Sequence, residues 1–418
     1  MKVLIVTPYF PPAEGFGGPV SSIYEQASML QSVGFDVRVL TTDADGIKDK
    51  CIPKPGWSSF GKTEVYYSRC WGFSKPSFLG RFFFAPRMIL QLVRLLPEID
   101  LLQVNGIWIF TTLISSRAAL FFGKPYVLNT HGSIYPWALK HKALKKRVWL
   151  ALFERYTLRR ASGIQCSSEV ERRLVEDSFP GLPAFVIPNA ISSVPLRADG
   201  KKFRSSVGLQ ETIPLVLFLG RIHVVKGLDL LLDAAAEVIR EVPEAVFAIV
   251  GNADGNYDVQ IREKITQAGL ERQILLPGPV RGNEKWDALM AADVFALPSQ
   301  QENFGISAAE AMACGIPIVT SSAVGIAEDI AEAAAGLVVE RTAMDFSRGI
   351  IELLRNADLR KRMGDAGKKL AAEKYNPDIV ARLLTRKYCE IVDEHLGSPP
   401  SWISGSTCSA VGRFRRPS

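Results

Sequence analysis

Short apolar runs alternate with amphipathic stretches along most of the chain. Six strand-like runs come first: KVLIVT (2 to 7), DVRVLT (36 to 41), LLQV (101 to 104), PYVLNT (125 to 130), GIQCS (163 to 167) and AFVIP (184 to 188). Most are followed by residues with helical periodicity, and this βα alternation predicts a doubly wound α/β half. The polar stretch SSVPLRADGKK (192 to 202) interrupts the pattern, which restarts with PLVLFLG (214 to 220), AVFAIVG (245 to 251), QILLPG (273 to 278), DVFALP (293 to 298) and IPIVTS (316 to 321). A second doubly wound half follows, closed by a long helical stretch over 343 to 395. The expected domains are 1–195, 196–375, a helix over 376–396 crossing back to the first domain, and a disordered tail over 397–418. Open parallel sheets bind ligands at the carboxyl ends of their strands, so two such sheets facing each other predict an active site in a cleft between them.

Length and composition fit this organisation. The chain has 418 residues, 47% hydrophobic and 22% charged, which suits two or three globular domains and excludes a fibrous repeat. The longest apolar runs, such as LVLFLG, fall far short of the roughly 20 residues that span a bilayer. The VLIV after Lys2 is too brief for a signal-peptide core, so a cytoplasmic protein is expected. Six cysteines (51, 70, 166, 314, 389 and 408) include no CxxC pair, and they read as reduced thiols rather than a zinc site.

The net charge of +7 is unevenly placed. Residues 139 to 160 hold Lys140, Lys142, Lys145, Lys146, Arg147, Arg155, Arg159 and Arg160 against Glu154 alone, with Trp149, Leu152, Phe153 and Tyr156 at helical spacing. Two readings fit: a basic amphipathic helix on an anionic membrane surface, or a solvated basic face of an ordinary packed helix. No nucleic-acid partner is expected.

Several segments could carry chemistry. Gly15, Gly17 and Gly18 follow the first strand and lead into a helix, where backbone N–H groups suit a phosphate. With Asp43 and Asp45 after the second strand, this could pass for a dinucleotide fingerprint and hence an NAD(P)-dependent oxidoreductase. Against that, Pro8, Pro11 and Pro12 lengthen the turn, and Val20 stands where a third glycine or alanine belongs. The Asp43-x-Asp45 pair could also hold a cation, or simply be a solvated loop. A stronger block is QENFGISAAEAMACGIPIVTS (300 to 321), with Glu302 before a helix start at Gly305 and Glu310 on the second turn. Exposed N–H groups at the helix start suit an anion, and carboxylates accept hydrogen bonds from vicinal hydroxyls. Upstream, Arg221 and Lys226 follow the strand that ends at Gly220, where two cations could neutralise a diphosphate without a metal.

With these residues in place, the chain resembles the retaining, metal-independent glycosyltransferases of family 4, group 1, which have the two-domain GT-B fold. The resemblance runs to about residue 395 through VTPYFPPAEGFGG, THG (130 to 132), VIPNAI (186 to 191), GRIHVVKG, LPGPV (276 to 280) and the E-x7-E from Glu302 to Glu310. It implies that Glu310 holds the ribose of a UDP-, GDP- or ADP-sugar, and that Glu302 with the backbone of Asn303, Phe304 and Gly305 holds the sugar. It further implies that Arg221 and Lys226 hold the diphosphate, that Gly17 and Gly18 approach it, that His131 lies beside the anomeric centre, and that Asn189 contributes to substrate binding. No cofactor or metal is expected. The implied reaction is hexosyl transfer with retention, by front-face displacement in which the leaving phosphate takes the acceptor's proton. The expected acceptor is a glycan or a lipid-linked molecule in cell-surface polysaccharide synthesis, met at the inner face of the membrane. Ala190 departs from the usual glycine of the PNG turn, and Ile222 with His223 replaces small or acidic residues. A non-catalytic membrane-surface protein of the same fold, or an epimerase, would share most of these features.

Overall fold

The computed structural model describes residues 1–45, 54–72, 80, 82–134, 149–253 and 255–397. The chain divides into two compact units, Met1–Ala190 joined by the helix Pro377–His395, and Ile191–Asn376. Residues 139–148, with Lys140, Lys142, Lys145, Lys146 and Arg147, and the tail from 398 lie outside the described residues.

The first unit is built on eight strands: β1 (Lys2–Val6), β2 (Asp36–Thr42), β3 (Gly56–Phe60), β4 (Thr63–Ser68), β5 (Leu101–Asn105), β6 (Tyr126–Asn129), β7 (Gly163–Cys166) and β8 (Ala184–Val186). Their order is β3-β4-β2-β1-β5-β6-β7-β8, and all neighbours are parallel except the antiparallel β3–β4 hairpin. Six of these strands are the runs read from sequence; β3 and β4 are additions. GWSSF of β3 lies at the sheet edge with its central residues exposed, so it carries no apolar signal.

Alternation along β1 explains why apolar residues run continuously there. Val3 and Ile5 pack with Val39, Leu101 and Val127 beneath the helices Gly18–Ser32 and Pro377–His395, the latter contributing Val380, Leu384 and Tyr388. Leu4 and Val6 point the other way, packing with Leu40, Leu102 and Leu128 beneath the helix Arg87–Leu95 and Leu158 of the helix Arg155–Arg160. Each such side chain contributes roughly 1.5–3 kcal/mol by leaving water.

The second unit has six parallel strands: β9 (Leu215–Leu219), β10 (Val246–Val250), β11 (Ile274–Gly278), β12 (Val294–Leu297), β13 (Ile318–Thr320) and β14 (Gly336–Val338). Their order is β11-β10-β9-β12-β13-β14. Five match the apolar runs; β14, three residues long, gives too little sequence to read. Strand order reverses between β9 and β12 in this sheet and between β1 and β5 in the first. At such a reversal the connections leave to opposite sides and open a crevice at the strands' carboxyl ends.

Candidate functional site

The second unit's reversal point is where its charged candidates gather. After β9 the chain runs through Gly220 and exposed Arg221 into a single helical turn, Val224–Lys226. Nδ1 of His223 caps that turn by accepting from the N–H of Val225 at 3.2 Å. Gly227, with φ 71, then starts the helix Leu228–Glu241. A side chain there would put Cβ 2.3 Å from the carbonyl oxygen of Pro298, so glycine is what lets the turn press against the loop after β12. The two loops are zipped together: the N–H of Gln300 donates to the Val225 carbonyl at 2.7 Å, and its side-chain amide to that of Val224 at 3.3 Å.

This zipper brings Lys226 onto Glu302. The ammonium pairs with Oε1 of the carboxylate, which also accepts from the Ser299 hydroxyl at 2.9 Å. The backbone of Glu302 is fixed on both sides, its N–H donating to Ala323 at 3.0 Å and its carbonyl accepting from Gly325 at 3.0 Å. Gly305, at φ 105, is the residue before the helix Ile306–Cys314, and its absent Cβ would stand 2.8 Å from Val324. No side chain caps this helix, so the N–H groups of its first turn retain their donor capacity and partial positive charge. The ring of Phe304 is buried edge-to-face on Tyr375 with centroids 5.2 Å apart, which leaves only its backbone for a ligand.

Glu310 lies on that helix, 8% exposed, with Oε1 2.5 Å from the ammonium of Lys285 on the helix Asn283–Ala291. Burial pushes its carboxyl above the usual carboxylate range, and the charge of Lys285 partly offsets this. Lys285 was not visible from sequence as a partner, because the pairing joins two helices through the fold.

In the first unit, Gly17 and Gly18 are exposed at the start of the helix Gly18–Ser32, Gly17 at φ 69. Asp43 and Asp45 serve the structure itself: Asp43 accepts from the N–H of Cys70 at 2.7 Å, and buried Asp45 from that of Gly15 at 3.4 Å. Asp45 therefore braces the glycine loop from beneath. Asn189 accepts from the Ser22 hydroxyl at 2.6 Å, tying the segment after β8 to the first helix. His131 follows β6 with φ 45, its Nε2 3.0 Å from Oδ1 of Asn105. Burial pushes its pKa down to about 4, so the ring is neutral near pH 7.

Sequence reasoning passed over two residues around His131. Asn105 ends β5, where a polar residue within a buried strand was the available signal. Glu171, 1% exposed, accepts from Thr130 and Gly132 on either side of His131. Its S-x-x-E spacing from Ser168 is the mark of a capped helix start, and Ser168 does cap the helix Glu169–Ser178. Among the described residues no group of three or more His, Cys, Asp or Glu side chains is placed to hold a metal ion, and no helix is long and apolar enough to cross a membrane.

Comparison with known proteins accords with this layout. The family model for glycosyl transferases group 1 matches residues 199–370, and that for the glycosyl transferase 4-like domain matches 17–190. A GDP-mannose-dependent monoacylated alpha-(1-6)-phosphatidylinositol monomannoside mannosyltransferase of Corynebacterium glutamicum is 27% identical over 303 residues, covering 68% of this chain and 76% of that protein. Among solved structures, sucrose-phosphate synthase from Thermosynechococcus elongatus superposes with a TM-score of 0.75 at 17% identity, covering 93% of this chain and 98% of the other. HepE of Anabaena in complex with UDP-glucose gives 0.70 at 21%, with 93% and 99% covered. One family model falls on each unit, and the chain belongs to the group 1 glycosyltransferases of the GT-B fold.

Proposed function

We propose that this chain is a retaining, metal-independent hexosyltransferase that moves a sugar from a nucleoside diphosphate to a glycan or lipid-linked acceptor of cell-surface polysaccharide synthesis. The observation that carries the reading is the Lys226–Glu302 pair beside the uncapped helix start at Gly305, with Glu310 one helical turn further on. In this reading the diphosphate takes the ammonium of Lys226, with Arg221 beside it, and the released Glu302 carboxylate accepts from sugar hydroxyls. The backbone of Asn303, Phe304 and Gly305 holds the sugar, while Glu310 accepts from the ribose. Charge growing on the leaving phosphate is met by cations and helix N–H groups already in place, which is how a transition state is stabilised without a protein nucleophile or a metal. The leaving phosphate oxygen takes the acceptor hydroxyl's proton as the new glycosidic bond forms on the same face. Gly17, Gly18, Asn189 and His131 of the first unit complete the proposed set. The UDP-glucose complex of HepE and the GDP-mannose dependence of the Corynebacterium relative support a nucleotide-sugar donor without choosing between the bases.

The test is a thermal-shift screen against UDP-, GDP- and ADP-sugars followed by a transfer assay with and without EDTA. A ligand at 100 times its Kd stabilises by roughly 2.7 kcal/mol. Stabilisation by one donor class and transfer that survives EDTA support the reading; stabilisation by NAD(P) and by no nucleotide sugar would replace it with an oxidoreductase.

A membrane-proximal acceptor is favoured by one surface. The helix Arg87–Leu95 buries Met88, Leu92 and Leu95 yet exposes Ile89, Leu90 (61%) and Val93, with exposed Arg87 and Arg94 bordering that stripe. Apolar residues beside cations suit an anionic lipid surface. The basic residues Arg155, Arg159 and Arg160 stand on another helix covering the same sheet face, so we place the enzyme peripherally at the inner leaflet.

A further inference from the structure

His131 is held at two levels. Its φ of 45 is a left-handed conformation disfavoured for a non-glycine residue, and both neighbours are fastened to one buried carboxylate. Oε1 of Glu171 accepts from the Thr130 hydroxyl at 2.8 Å and the N–H of Gly132 at 2.9 Å, while Oε2 accepts from the N–H and hydroxyl of Ser167 at 2.7 and 3.1 Å. The turn that presents the imidazole is thereby anchored to the end of β7.

The ring itself is fixed by Asn105. Nδ2 of Asn105 lies 3.2 Å from the carbonyl oxygen of Val6, a group that can only accept. The amide therefore cannot be turned over, and Oδ1 is the atom that faces the imidazole at 3.0 Å. That oxygen also accepts from Nε2 of Gln103 at 3.3 Å, and Gln103 is oriented by donating to Gln26 at 2.8 Å and accepting from the Tyr388 hydroxyl at 3.0 Å. An acceptor opposite Nε2 requires a hydrogen on Nε2. We infer that Asn105 locks His131 in the Nε2–H tautomer, leaving Nδ1 with its lone pair, so that His131 meets a substrate hydroxyl as hydrogen-bond acceptor and not as proton donor.

Among the described residues nothing bonds to Nδ1. The burial that lowers the ring's pKa to about 4 keeps that lone pair unprotonated at neutral pH. Asn105 is then a positioning residue, and Glu171 a second one that sets the angle of the turn. The substrate role rests on the transferase reading; the tautomer does not.

The tautomer is read directly from the full chain labelled with 15N-histidine, which has four histidines. His131 is assigned as the signal absent from His131→Asn. The expected long-range 1H–15N pattern is that of a neutral ring protonated on Nε2. Asn105→Leu should release it into a mixture of tautomers, and Asn105→Asp, which keeps an acceptor oxygen, should restore it. An Nδ1–H pattern in the wild type, or an unchanged pattern in Asn105→Leu, overturns the lock; the wild-type spectrum decides this even if a variant fails to fold. In the transfer assay Asn105→Leu should lower kcat by about tenfold or more, with Asn105→Asp recovering, while the Kd for whichever of UDP, GDP or ADP stabilises the wild type stays within about twofold. A lock with unaltered kcat removes the substrate role and leaves the transferase reading standing. Absence of wild-type transfer with any nucleotide sugar fails that reading, and the substrate role with it, while the tautomer result stands.

Discussion

Lys226 and Glu302 are ion-paired across the point where the second sheet reverses its strand order. Each neutralises the other while both remain largely shielded from water, with side-chain exposures of 21% and 16%. In the proposed reading a diphosphate entering here would exchange one partner of Lys226 for another, while the Glu302 carboxylate would keep the Ser299 hydroxyl and gain the sugar's hydroxyls in place of the ammonium.

Lys226→Ala is expected to lower kcat by about 10² to 10³ while changing donor affinity far less, because charge on the leaving phosphate peaks in the transition state. Steady-state kinetics with calorimetric donor binding separates the two. Equal losses in kcat and affinity would assign Lys226 to ground-state binding.

Glu310→Ala should weaken nucleotide binding by roughly 1.5–3 kcal/mol, the worth of a hydrogen bond to a charged group. The fold should hold, since Lys285 is partly exposed and remains solvated. Lys285→Met acts differently. It removes the charge that offsets burial, so the raised pKa of Glu310 rises further and the carboxylate is lost at higher pH than in the wild type. Donor affinity should therefore fall more steeply in Lys285→Met as pH drops from 8 to 5. Parallel pH curves would mean that Glu310 does not contact the donor as an anion.

Gly227→Ala and Gly208→Ala form a controlled pair. Both glycines have φ near 70, at 71 and 69, but a Cβ on Gly227 meets the Pro298 carbonyl at 2.3 Å whereas one on Gly208 meets nothing within 4 Å. Gly208→Ala should cost about 1–2 kcal/mol for the backbone conformation alone, and Gly227→Ala at least about 1 kcal/mol more. Chemical denaturation measures the gap; equal costs would show that the turn carrying Lys226 is not pressed on the loop after β12.

His131 also predicts a pH dependence of stability. Its pKa is lowered from 6.5 to about 4 on folding, so below pH 6.5 the unfolded chain binds the proton first. The associated stability is full above that value and is lost as pH falls from 6.5 to about 4, with a slope of at most about 1.4 kcal/mol per pH unit. His131→Asn, which tolerates positive φ, should lack this component. Urea denaturation across that range should show the wild type losing its advantage over the variant; a constant difference would contradict it.

Replacing both Leu90 and Val93 by Glu should abolish co-sedimentation with phosphatidylglycerol vesicles and leave nucleotide binding intact. Undiminished sedimentation of the double variant would return the exposed stripe to an ordinary solvent face.

Much of this architecture was legible because strands of a parallel sheet covered on both faces leave continuous apolar runs, as in PLVLFLG and DVFALP. The E-x7-E spacing was legible for a similar reason, since a helix start and its second turn are local. What escaped depends on contacts between distant segments. Lys285 reaches Glu310 from another helix, Glu171 supports the turn at His131 from the helix that follows β7, and Asn105 is defined by a carbonyl on β1. Strand β3 escaped for the opposite reason, because an exposed edge imposes almost no pattern on its side chains.

The helix Pro377–His395 supplies Val380, Leu384 and Tyr388 to the first unit's core, although it is encoded after the whole of the second unit. On a ribosome that works from the amino terminus, the first sheet emerges with one face incompletely covered and stays so while the 186 residues of the second unit, Ile191–Asn376, are made. The second unit, continuous in sequence from Ile191 to Asn376, has no such wait and can reach its native packing first. A chain truncated before residue 377 would keep every residue of the second unit but leave that face of the first sheet without Val380, Leu384 and Tyr388.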